Sequence, residues 1–236
     1  MPFSSETIRF LTENRRQNSR AWFEEHREEY ELYVMEPLKE LTAALGPYMR
    51  QIDEELTVEP RVDRTISRIR RDTRFSRDKS LYRDNMWIIF KRGQMHGTAV
   101  PGFYFEFGPE GYSYGCGFYA ASPSYMDTMR SLILQGCSQF EDARRAYESQ
   151  QTFVMEGEKY KRPHYRELPE NLRDWLERRG ICFCADYEGL ETMYEQDLWK
   201  KIRDDLRLVI PIYDFLLLVS QTESRQKPEA AIKQFL

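Results

Sequence analysis

Apolar residues recur at three- and four-residue spacing through the first part of the chain and then give way to shorter alternating pieces, so helices are expected first and strands after them. Ser4 or Ser5 is placed to cap a helix running to about residue 16, with Ile8, Phe10 and Leu11 on its apolar side, and Asn18 and Ser19 punctuate its end. A second helix is predicted from about residue 20, its stripe being Trp22, Phe23, His26, Tyr30, Tyr33 and Val34. Pro37 then starts a third, carrying Leu38, Leu41, Leu45 and Tyr48. From Leu56 onward the pieces at 57–62, 65–70, 86–91, 103–107 and 112–119 read as strands of an antiparallel sheet, separated by Gly, Pro, Asp and Asn. Ser122-Pro123 opens a helix with Tyr125, Met129, Leu132 and Ile133. Ser138 opens another through Tyr147, and 168–179 forms one that ends at Gly180. After a short strand at 181–185 the chain is helical from Glu191. The prediction is a single α+β domain over 1–236, with N-terminal helices, a central mostly antiparallel sheet and C-terminal helices.

Composition agrees with a packed core. Of 236 residues, 41% are hydrophobic, and 14 Phe, 15 Tyr and 4 Trp supply aromatic bulk that disordered chains lack. The longest apolar run, 208–219, is interrupted by Pro211 and Asp214 and falls short of the roughly 20 residues a membrane span needs. It reads as a buried terminal helix broken near Pro211, so no membrane association is expected. The first residues lack the basic and apolar segments of a secretory signal, and cytoplasmic localisation is expected. The four cysteines are then reduced thiols. Cys182-Phe183-Cys184 would put two thiols on one strand face. The single intervening residue does not match a zinc knuckle even with His164 nearby, so no metal is assigned, and any cofactor stays unidentified.

Charge changes the picture most. Residues 61–92 hold eleven Lys and Arg against four Asp and Glu, a surplus of +7, so the other 204 residues carry −11 to reach the chain total of −4. An acidic chain with one basic island points to an anionic partner, because clustered guanidiniums repel one another unless something negative lies among them. Arg68, Arg71 and Arg74 recur every third residue, and a turn after a strand can set their planar donor forks on one side. Ser76, Lys79 and backbone N–H groups would complete a phosphate cradle over about 71–80. The bland alternative is an ion-pair lattice in which Asp72 and Asp78 pair with Arg68, Arg71 or Arg74.

Three blocks resemble the family of uncharacterised microbial proteins called domain of unknown function 2461. They are Phe10-Leu11 with Asn14, Asn18, Ala21-Trp22-Phe23 and Tyr30; then Arg68-Ile69, Arg71-Asp72-Thr73-Arg74-Phe75-Ser76, Asp78-Lys79 and Tyr82-Arg83; and the glycine-flanked pieces Gly102-Phe103-Tyr104 and Gly115-Cys116-Gly117-Phe118-Tyr119. Leu81 departs from the family's usual proline, and Arg162-Pro163-His164-Tyr165 replaces a Pro-Gly-Tyr-type loop. The resemblance implies membership and no reaction. The functional expectation therefore rests on Arg68, Arg71, Asp72, Arg74, Ser76, Asp78, Lys79, Tyr82 and Arg83 as ligands of a phosphorylated or other anionic small molecule.

Two alternatives stay open. One is a divalent-metal phosphate-ester hydrolase, with Asp72 and Asp78 joined by Glu106 or Asp53. The other is a nucleic-acid or acidic-protein binding module in which Phe75 and Tyr82 interleave with the bases, a reading that a pI near 5.6 disfavours for long nucleic acid. No catalytic residue is named. His26 reads as a packed histidine, and His96, beside Gly97 in a turn, is the better acid–base candidate.

Overall fold

The computed structural model describes residues 3–96, 98–118 and 120–233, with side chains to residue 226; Gly97, expected from the sequence beside His96 in a turn, and Tyr119, expected to end a strand, lie outside the described residues. Ser4 caps α1 (Ser5–Gln17), its N–H donating to the Thr7 hydroxyl at 3.1 Å, and Asn18 closes the helix in the left-handed conformation at φ 47°. Ser19 then caps α2 (Arg20–Glu25), which is followed by α3 (Arg27–Tyr30). Where a fresh start at Pro37 was expected, α3 runs through a π-helical turn, Glu31–Met35, straight into α4 (Glu36–Ile52).

Proline explains the local widening. Pro37 has no N–H to offer the Tyr33 carbonyl four residues earlier, and its ring crowds that oxygen in a regular helix. The Thr7 hydroxyl supplies the missing donor at 2.7 Å, which ties α1 to this turn.

The central antiparallel sheet has the order β1-β2-β3-β5-β4, with β1 Met86–Lys91, β2 Gly102–Gly108, β3 Gly111–Gly117, β4 Val154–Glu156 and β5 Cys182–Glu188. The stretches 57–62 and 65–70 do not become strands. They make isolated bridges, Val62 with Ile66, Ile66 with Ile88 and Arg70 with Tyr82, because Asp63 turns the chain at φ 64° between them. Ser67 and Thr65 still bond to β1, through Ser67 N–H to Trp87 O and Ile89 N–H to Thr65 O, both 2.9 Å. The edge strand β4 has too few residues to show a period in the sequence.

Helices α5 (Pro123–Leu134), α6 (Ser138–Glu148), α7 (Glu170–Leu176), α8 (Leu198–Leu206) and α9 (Ile210–Lys233) follow the predicted order. The apolar run from 208 enters α9 through a 3-10 turn, Arg207–Val209, and Pro211 is only the second residue of α9, where its lost N–H costs nothing. Among the described residues no helix is long and apolar enough to cross a membrane.

The chain divides into two compact units. The first comprises residues up to Met95 with Tyr104–Tyr114 and Asp186–Asp204, and the second His96–Phe103, Gly115–Ala185 and the residues from Asp205. The first unit is held by rings. Phe10, 1% exposed, meets Trp22 at 5.7 Å and Tyr30 at 5.7 Å, and Phe23 stacks on Tyr82 at 5.0 Å. In the second unit Trp175 lies edge-on to Phe140 at 5.2 Å and packs on Phe183 at 5.2 Å. After β4, Gly157 has φ 130°, and a Cβ there would come within 1.9 Å of the Gly180 carbonyl. Gly157→Ala is expected to destabilise the protein by about 1 to 3 kcal/mol, read as a lower urea midpoint at unchanged slope.

Candidate functional site

The Arg-rich segment is a loop with a short paired base. Arg71 N–H donates to Leu81 O and Arg83 N–H to Ile69 O, each at 2.9 Å, on either side of the Arg70–Tyr82 bridge. Pairing at this base sends Ile69 and Tyr82 inward, at 6% and 0% exposure, and leaves 72–80 as the projecting turn. Two aspartates fold that turn by accepting the N–H two residues on, Asp72 from Arg74 at 3.1 Å and Asp78 from Ser80 at 2.9 Å. Lys79 spans it, its Nζ donating to Thr73 O at 2.8 Å.

Two guanidiniums converge on the far end of the loop. Arg15, from α1, donates through Nη2 to Asp78 Oδ2 at 2.7 Å and through Nη1 to Tyr82 O at 2.7 Å. Arg71 donates through Nη1 to the same Asp78 oxygen and to Ser80 Oγ, the latter at 2.6 Å, and Arg15 Nη1 reaches that hydroxyl too. Ser80 N–H and hydroxyl, with the Arg15 guanidinium and then Arg71, hold the Asp78 carboxyl well below the usual carboxylate range. Because the folded value is depressed, whatever Asp78 contributes is fully present above the ordinary value near 3.8 and is lost only as pH falls through the lower folded value. The arrangement is therefore constant across neutral pH.

Two positive charges share one carboxylate here, and the outer edge of Arg71 is weakly used, its Nη2 reaching only Ser76 Oγ at 3.4 Å. Around Asp78 alone the excess is one positive charge, and Arg77 and Lys79 add to it in the same turn.

The expected triplet does not converge. Arg74 pairs with Asp72 at 2.7 Å, at 77% and 56% exposure, and holds that carboxyl down at about 2 through its side chain and its N–H. Arg68 pairs instead with Asp63, its Nε at 2.7 Å. Arg83 lies over the Trp87 ring at 4.6 Å. Farther out, Arg64 meets Glu59, and Arg92 meets Asp53 and Glu55. Ion pairs thus form one by one, and at Arg15–Asp78–Arg71 two cations share one carboxylate. Arg77 has no hydrogen-bond or ion-pair partner among the described residues.

The carboxylates of the hydrolase reading are dispersed, since Asp53 serves Arg92 and Glu106 accepts from Asn85 at 2.5 Å. Among the described residues no three His, Cys, Asp or Glu side chains are grouped to hold a metal ion. His26 is packed as expected, stacked on Trp22 at 4.0 Å with Nδ1 2.8 Å from Trp22 O.

Arg15 was not among the residues that the sequence singled out. No local pattern links α1 to a loop more than sixty residues away, and only their joint presence in the resemblance blocks hints at it. Asn18 Oδ1 accepts Leu81 N–H at 2.6 Å, and Arg15 holds Tyr82 O, so this stretch of α1 abuts residues 81–82. Asn14 is fully buried there, with neither amide atom bonded among the described residues, and the buried Tyr82 hydroxyl is equally unpartnered. An unpartnered buried polar group costs roughly 1 to 3 kcal/mol. Tyr82→Phe is therefore expected to leave the melting temperature unchanged or raise it. A clear drop in melting temperature would show a structural bond instead.

A cleft of about 320 Å³ in the first unit is lined by Phe3, Pro37, Leu41, Ala44, Leu198 and Trp199 among others, and by no residue of the Arg-rich loop.

The chain belongs to the conserved hypothetical protein family DUF2461, whose family model matches residues 6–215. No curated protein matches the chain.

Proposed function

For this member of the DUF2461 family we propose that the loop closed by Arg70 and Tyr82 binds a phosphorylated or similarly anionic small molecule, with Arg15 and Arg71 as its principal donors. The observation that carries this reading is the pair of guanidiniums on the single Asp78 carboxylate. An oxyanion at the outer edge of Arg71, beside Ser76, would balance the charge and take a bidentate fork. Arg68, Asp72, Arg74 and Arg83 belong to the supporting frame, and Asp78 holds the two donors together. The proposal places this binding in the cytoplasm, supported by four cysteines without a disulfide.

The test is thermal unfolding against inorganic phosphate, sugar phosphates, nucleotides and short oligonucleotides, with and without Mg²⁺, at low and high salt. A ligand at 100 times its Kd adds about 2.7 kcal/mol, a shift of roughly 5 to 10 °C for a chain of this size. Since Asp78 stays ionised, the pH dependence should come from the ligand: a phosphate monoester should bind more tightly as pH rises through about 6, where its second proton leaves. A flat panel, or shifts that track ionic strength alone, would remove the site.

Phe75 favours a second reading. It is 94% exposed with the Arg74 guanidinium 5.7 Å from its ring centroid, a platform on which a single-stranded base can stack. An oligonucleotide shift that exceeds the mononucleotide shift, and disappears in Phe75→Ala, would choose it.

A further inference from the structure

Cys182 and Cys184 stand two residues apart on β5, and strand alternation turns both thiols to one face. Their sulfurs are 3.2 Å apart. On one flank the register pairs Cys184 with Val154 and Cys182 with Glu156, both of them exposed, so this face of the sheet edge looks outward. On the other flank Gly117, at φ 143°, lies so close that a Cβ there would come within 2.7 Å of Cys182 Cα. Cys182 is half-buried and Cys184 is 6% exposed, an accessible thiol backed by a sheltered one.

We propose that Cys182 and Cys184 are a reversible oxidation site, a dithiol that hydrogen peroxide converts to an intrastrand disulfide. The Cys182 thiolate attacks peroxide, the O–O bond breaks, sulfur keeps one oxygen as the sulfenic acid and the other leaves as hydroxide, which takes up a proton to become water. Cys184 thiolate then attacks the Cys182 sulfur, the S–O bond breaks, and a second water leaves as the S–S bond forms. Two thiols lose two hydrogens and two electrons, and peroxide is reduced to two waters.

Strand geometry makes the product reversible. Residues i and i+2 of a strand are about 6.6 Å apart at Cα, near the upper limit of about 6.8 Å for a disulfide. Such a bond is strained and readily reduced, which suits a transient state better than a permanent staple. Cys116 is fully buried, its thiol pushed well up by that burial, and alternation along β3 turns it to the face opposite Gly117. Cys137 sits just before α6, its thiol donating to Gln139 Oε1 at 3.2 Å.

The test treats the whole protein with near-stoichiometric hydrogen peroxide, alkylates the remaining thiols after unfolding, and reads the tryptic peptide Gly180 to Lys200 by mass. The expected product is that peptide unalkylated and lighter by two hydrogens, restored by dithiothreitol, with Cys116 and Cys137 still alkylated. In Cys184→Ser the same dose should leave Cys182 as a sulfenic acid that dimedone traps. Full alkylation of both cysteines after treatment, or a cross-link from either of them to Cys137 or to a second chain, would overturn the proposal.

Discussion

Replacing Arg92 with leucine is expected to lower the unfolding free energy by about 3 to 5 kcal/mol and the melting temperature by roughly 10 °C. Arg92 grips Asp53 with two parallel bonds, Nε to Oδ2 at 2.6 Å and Nη2 to Oδ1 at 2.9 Å, and the Asp53 side chain is 4% exposed. Asp53 ends α4 and Arg92 follows β1, so the pair fixes one helix to one strand. Leucine removes the fork and leaves an ionised carboxylate that keeps the Glu55 N–H at 3.0 Å, in a site that water scarcely reaches. Arg92 is 24% exposed, which puts the expectation toward the lower end of the range. Urea unfolding of wild type and Arg92→Leu measures it directly, and a loss under about 1 kcal/mol would mean that Asp53 is held by other groups.

Arg15→Ala and Arg71→Ala should behave in the opposite way, sparing the fold and losing the ligand. Both side chains are partly exposed, at 30% and 21%, and pair with an Asp78 that is 48% exposed, where ion pairs add little to stability. A fork on a phosphate is worth about 1.5 to 3 kcal/mol, so losing Arg71 should weaken binding by roughly 10- to 100-fold; losing Arg15, which acts through its charge and its hold on Asp78, should cost less, and the double variant more than either. Arg71→Lys keeps the charge but not the planar fork and should fall between. Isothermal titration with whichever phosphate compound gives the largest thermal shift reads these losses. If either alanine variant unfolds the protein while binding per folded molecule is unchanged, the cluster is a structural lattice.

The order of helices and strands was legible because long apolar stripes such as Trp22 to Val34 and the alternation in Met86 to Lys91 have only one periodic reading. Residues 57–70 misled because Val58, Val62, Ile66 and Ile69 look like strand positions, whereas the left-handed turn at Asp63 is encoded by one residue. Pro37 signalled a helix start correctly in position but not in consequence, since the rescuing hydroxyl of Thr7 comes from a distant helix. At the site, the basic island was visible as charge alone. Which carboxylate serves which arginine was not, because Arg68–Asp63 and Arg15–Asp78 depend on where the loop base and α1 meet. The pairing of Cys182 with Cys184 was readable from strand alternation, and the glycine beside it was not.

The most direct test of the central claim follows the arginine Nε–H resonances of ¹⁵N-labelled protein during titration with a phosphate monoester at constant ionic strength. Arg15 and Arg71 are expected to shift together along a saturating curve, and Arg71→Ala to remove the Arg15 response as well. Shifts confined to the exposed Arg74 and Arg77, growing linearly without saturation, would contradict it.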